Sequence, residues 1–213
     1  MYYSVEHTVS KETGNVFPQI SFINQEDAFE IVDYEFTDIP RLKAQLEHKA
    51  KITDVLSQAS IGGHGLLICE KLKTIFEKFN IMQHKYYPVE VQTKKGSLPY
   101  YWLQVNDRSL LHKINYKKSV FYWTETTFKQ GIIELNSYAD YVKKKKEHEN
   151  DCLWGIDIEE IVLTKNFDRD LDVFCFSPLD GVRGFFISER LKNAIDENKI
   201  TGIEIKEALI SFE

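Results

Sequence analysis

The sequence predicts an α+β protein, with helices packed on a mainly antiparallel sheet, and three observations lead there. One phrase is written twice without a gap, "GLLICEKLKTIFEKFNI" at 65–81 and "GFFISERLKNAIDENKI" at 184–200. Between the copies lie aromatic and β-branched runs, among them "YYWLQVND" at 100–107 and "SVFYWTETTF" at 119–128, which suit a pleated surface better than a helix. Hydrophobic residues make up 43% of the 213-residue chain and charged residues 28%. A single domain over 1–213 therefore has enough apolar surface to bury roughly 70% of what the unfolded chain exposes, with no disulfide or metal needed.

In chain order, residues 40–50 read first as a helix. Leu42, Leu46 and Ala50 recur every four residues, Thr37 or Asp38 caps the start, and Pro40 sits in the first turn, where its missing N–H does no harm. "IGGHG" at 61–65 reads as a loop. In the first copy of the phrase, Leu66, Leu67 and Ile68 form a short apolar strand, and Leu72, Ile75, Phe76 and Phe79 follow at helical spacing. The second copy repeats this with Phe185, Phe186 and Ile187, then Leu191, Ala194 and Ile195. Ser188 carries a capping oxygen where Cys69 has none. Each helix leads into another extended stretch, "KYYPVEV" from Lys85 and "GIEIKEALISF" from Gly202. The copies thus predict two similar β–α–β units, at about 65–91 and 184–207. Between them "LLHKINYKK" adds a short strand and "YVKKKKEHEND" is a solvated, charged excursion. "IEEIVLTKNF" and "LDVFCFSPL" read as strands flanking a hairpin tip at Asp168, Arg169 and Asp170.

The formal charge of −6 and the pI near 5.6 argue against nucleic acid as a partner, since phosphate binding needs clustered cations that outweigh local acids. Such a surface suits a basic partner better. Cys69, Cys152 and Cys175 are scattered and never paired as CxxC, so they read as reduced, mostly buried thiols. The start, "MYYSVEHTVSKETG", lacks the basic and apolar regions of a signal peptide. No apolar run approaches the ~18–20 residues of a membrane span. The expectation is a cytoplasmic protein with no membrane partner.

Chemical motifs fall away one by one. "GGHG", with His64, precedes a strand instead of opening a helix, so it is not placed to cradle phosphate. Asp168, Asp170 and Asp172 alternate like the start of a calcium loop, but Val173 holds the sixth position and Leu179 the twelfth, where Gly and Glu are required. The six histidines show no HExxH spacing, and there is no GxSxG elbow. Lys143, Lys144, Lys145 and Lys146 are partly cancelled by Glu147, Glu149 and Asp151. No cofactor, metal or catalytic residue is expected. What remains is a partner surface: Asp168, Asp170 and Asp172 at the hairpin tip, with the outward-facing members of Tyr100, Trp102, Tyr122 and Trp123 as aromatic anchors.

The order of "KITDVLSQASIGGHGLLICEKLKTIFEKFNI", "YYPVEV", "YYWLQV", "NYKKSVF", "LDVFCF" and "GFFISERLKNAIDENKITGIEI" resembles the eleventh-type immunity proteins of bacterial polymorphic toxin systems, a family first catalogued as a domain of unknown function. The resemblance covers 51–207 and leaves the first fifty residues unmatched. Cys69 replaces the family's usual capping Ser, and Asn115 stands where an acidic residue is common. The resemblance implies a non-enzymatic inhibitor that occludes a cognate secreted toxin. Two other classes stay open: a small cytosolic enzyme, which needs a polar cluster in a concave pocket, and a regulatory module, which needs Lys113, Lys117 and Lys118 to join the four lysines in one basic face.

Overall fold

The computed structural model of the chain describes residues 1–32, 35–126, 128–176 and 184–213. Its first half runs β1 (Tyr2–His7), β2 (Ile20–Phe22), α1 (Gln25–Phe29), β3 (Leu42–Leu46), β4 (Val55–Leu56), β5 (Gly65–Cys69), α2 (Glu70–Phe76), β6 (His84–Thr93) and β7 (Gly96–Val105). A 3-10 helix (Arg108–Lys113) leads into β8 (Val120–Glu125), β9 (Phe128–Ile133), α3 (Tyr138–Glu147) and β10 (Trp154–Leu163). The chain then forms β11 (Val173–Phe174), β12 (Phe185–Ser188), α4 (Glu189–Glu197), β13 (Ile203–Glu207) and β14 (Ile210–Phe212). The fold is α+β and antiparallel-dominated, as the strand-rich centre predicts. Only β3–β6 and β10–β14 pair in parallel among the named strands.

Three sheets result, in the orders β2-β3-β6-β7-β5-β4, β11-β12-β1-β13 and β14-β10-β8-β9. In the six-stranded sheet, β5 and β6 each pair antiparallel with β7, so they run parallel to one another on either side of it. In the sheet containing β1, strands β12 and β13 flank β1 in the same way. Short β4 and β11 lie outside β5 and β12 respectively. Cys69 N–H donates to Asp54 O at 2.8 Å, and Ser188 N–H to Asp172 O at 2.9 Å. Each of these aspartates also reaches the loop after the other helix: Asp54 Oδ2 accepts from Thr201 N at 3.0 Å, and Asp172 Oδ2 from Asn80 N at 2.8 Å. These two clasps join the sheets, and α2 and α4 lie against one another between them.

Local chemistry sets the helix ends. Ser188 Oγ accepts from Leu191 N at 3.2 Å, whereas Cys69 makes no capping hydrogen bond, and α2 is seven residues long against nine for α4. Gly202 has φ +90°, and a Cβ there would meet Val55 O at 2.1 Å, so glycine is needed for both conformation and space. Leu191 is fully buried in the larger core with Ile187, Ile195, Phe76 and Phe185. Leu191→Ala should lower stability by about 2–5 kcal/mol, read as a lower denaturant midpoint with the slope unchanged. No loss at all would mean that α4 does not hold this core.

Four local expectations are corrected. The helix predicted over 40–50 is instead β3, whose Leu42 and Ala44 are buried while Lys43 and Gln45 face out. A short run with apolar residues at i, i+2 and i+4 fits a strand as well as a helix, and the flanking strands β2 and β6 decide the matter. Of "LLHKINYKK", Leu110 to Lys113 lie in the 3-10 helix, which the Asp107 side chain caps by accepting from Ser109 N, and Ile114 makes an isolated bridge to Leu163. The lysine-rich excursion is solvated as expected, with Lys143, Lys146 and Glu147 exposed on α3, which Ser137 caps. Asp168 and Asp170 do not tip a hairpin, because β10 and β11 belong to different sheets and the turn crosses between them. Residues 177–179, the end of that predicted strand and with it the twelfth calcium-loop position Leu179, lie outside the described residues. Cys152, expected to be a mostly buried thiol, is exposed, whereas Cys175 is buried.

Candidate partner-binding face

The sheet β14-β10-β8-β9 packs on one side only against the larger core. Phe121 of β8 and Ile156 of β10 are buried in that core. Tyr122 and Asp157, paired across the same two strands and one residue along, lie on the opposite face, as strand alternation requires. There Lys129 Nζ sits 4.7 Å from the centre of the Tyr122 ring and 3.2 Å from a Glu159 carboxylate oxygen. The hydrogen bond to Glu159 pushes the Tyr122 phenol up. That bond, followed by the Lys129 ammonium, holds Glu159 below the usual carboxylate range.

The three strands β8, β9 and β10 carry four carboxylates, Glu125, Asp157, Glu159 and Glu160, against the single ammonium of Lys129. Ile132, 69% exposed, pairs with Tyr122 on the open face, whereas Phe128, 71% exposed, pairs with Glu125 on the other side, where Trp123 is 36% exposed. Trp123 shares the Ile156 side of the sheet at its margin, and its Nε1 lies 3.0 Å from where a Cβ on Gly131 would sit. The arrangement is a charged, partly apolar surface. Among the described residues, no group of three or more His, Cys, Asp or Glu is placed to hold a metal ion.

The predicted surface residues separate. Tyr100 and Trp102 are only 4% and 1% exposed, and the Tyr100 hydroxyl donates to Thr53 O at 2.6 Å. Their strand β7 is central and covered on both faces: Leu103 and Val105 enter one core, Tyr100 and Trp102 the other. Neither residue therefore presents a side chain to a partner. Asp172 is 0% exposed as well. Burial works against its charge, but the Arg190 guanidinium, the Ser188 hydroxyl and the Asn80 N–H outweigh it and hold the carboxyl below its ordinary range. Asp168 and Asp170 are exposed in the turn between sheets, beside the β14 edge, where Arg169 stacks over Phe212 at 4.3 Å. Tyr122 is half-buried on the open face of the third sheet.

Reading strands one at a time missed Phe128, Ile132, Asp157, Glu159 and Glu160. Their signal was present in "FKQGII" and "WGIDIEEIVL", apolar and acidic residues in strands that lie next to the aromatic run once β8 pairs with both.

The scaffold is antiparallel-rich, and its third sheet carries an excess of acid. Compared with known families, the chain matches the Immunity protein family (Imm11) over residues 4–209, and it belongs to that family. The match takes in most of the first fifty residues, which the sequence resemblance left unmatched; β1 is a central strand of the second sheet, so that segment is integral to the fold. No curated protein matches the chain. No helix among the described residues is long and apolar enough to cross a membrane.

Proposed function

We propose that this protein is the cytoplasmic immunity partner of a secreted bacterial toxin, and that it neutralises the toxin by stoichiometric occlusion rather than by catalysis. The observation that carries the reading is the family match across 4–209. The open sheet supports it physically, because acids facing a basic surface speed association while aromatic anchors slow dissociation. Within this reading the binding surface draws on Tyr122, Trp123, Asp168 and Asp170, to which the sheet acids Asp157 and Glu159 are added. Tyr100, Trp102 and Asp172 belong to the interior instead. The whole chain is read as one domain whose units at 65–91 and 184–207 are repeats built to the same plan, the matched clasps of Asp54 and Asp172 being the support for this.

Co-expression with the toxin encoded beside it tests the reading. The expected result is restored growth and a stable complex that purifies as one species. Growth arrest despite abundant soluble protein would overturn it.

A further inference from the structure

We infer that β9 is a docking strand, and that a basic, extended segment of the protein partner adds to its free edge as a fifth strand of the sheet. The inference rests on the reading that the chain binds a protein, and it names the kind of segment bound. Six strands end the three sheets: β2, β4, β11, β13, β14 and β9. Four of these are two or three residues long, too short to template another strand. The five-residue β13 is blunted by alternating charge, with Lys206 held between Glu6 at 2.8 Å and Glu204 at 3.3 Å. The six-residue β9 is the longest, and its only strand partner among the described residues is β8.

Of the usual protections of an edge, β9 has a bulge but neither proline nor an outward lysine. Its one lysine is drawn back across the sheet onto Tyr122 and Glu159, away from the open side. Phe128 and Ile132 stand largely in water. A bulge passes over Gln130, since Trp123 pairs with Gly131 and Thr124 with Lys129. Added strands gain affinity from main-chain hydrogen bonds and specificity from alternating side chains. The acids lie inward of the edge, Glu125 on β8 and Asp157, Glu159 and Glu160 on β10, and they outnumber Lys129, so the sheet carries a net negative charge whose field favours lysine or arginine in the incoming segment. The same excess of acid, within a formal charge of −6 for the whole chain, disfavours a second copy of this chain through long-range repulsion.

The test uses the intact chain and two synthetic heptapeptides, one alternating Lys with Val and the other Glu with Val. Amide hydrogen exchange is followed residue by residue. The Lys/Val peptide is expected to slow exchange of β9 amides about tenfold while leaving β13 unchanged, and the Glu/Val peptide to do neither. Ile132→Lys and, separately, Phe128→Lys place a repelling cation on an exposed site and should each abolish the protection. Protection at β13, equal protection by both peptides, or none at all would overturn the inference. These measurements need no toxin, so failure of the immunity reading would show in co-expression and not here.

Discussion

Replacing Asp172 with alanine is expected to destabilise the protein by about 2–4 kcal/mol, a large share of the stability of an ordinary domain. Its carboxylate accepts from Asn80 N at 2.8 Å, from the Ser188 hydroxyl and from Arg190 Nη2 at 2.7 Å. Alanine leaves the first two donors, both partly shielded from water, without their acceptor. Arg190 is largely exposed and regains hydration, so no buried charge is stranded. The pH dependence has a definite sign. The folded pKa lies below the ordinary 3.8, so the carboxylate's contribution is complete above that value and disappears as pH falls through the depressed one. Arg190→Ala should therefore shift acid unfolding to higher pH, and Asp172→Ala should flatten the dependence in that window. Equilibrium denaturation across acid pH measures both, and a wild-type profile in the two variants would show that the clasp between the sheets carries no stability.

Reversing the charge of the open sheet should have the second large effect. Asp157→Lys combined with Glu159→Lys turns two acids beside Tyr122 into cations and leaves the Lys129 ammonium without its carboxylate. Association with a basic toxin surface is expected to slow about 10- to 100-fold at low salt, with the gap closing as salt screens the field. Stability should change little, because both side chains lie on the solvent side of the sheet. Stopped-flow association at several ionic strengths reads this directly, and rates unaffected by the reversal would move the interface to another face.

These two sites differ in how far the sequence displays them. The doubled phrase is legible because strand, cap and helix signals are local: Leu66 to Ile68, then helical spacing from Leu72, and the same again from Phe185. What separates Tyr100 and Trp102 from Tyr122 and Trp123 is not local. All four sit in aromatic strands, and burial was decided by whether a second layer covers the other face, which depends on where Ala28 of α1 and the loop residues Ile31 and Ile61 pack. The strand that separates the two outer strands of each unit is β7 in the first, which follows β6 directly, and β1 in the second, which comes from the start of the chain, so no window of sequence around the second copy contains it. The Asp-Val pairs at 54–55 and 172–173 occupy equivalent places ahead of Cys69 and Ser188, yet two residues are too short a signal to stand out before the clasps are seen. The misread segment at 40–50 failed for the same reason, since spacings of two and four coexist in "LKAQL" and only the neighbouring strands choose between them.

Titrating the purified protein into a fixed amount of its cognate toxin, while following the toxin's own activity, tests the central claim most directly. Stoichiometric occlusion predicts that activity falls linearly and reaches zero at one chain per toxin domain, with the complex recovered intact. Complete silencing by a small fraction of an equivalent, with toxin left unbound, would contradict it and mark the protein as a catalyst acting on the toxin or its product.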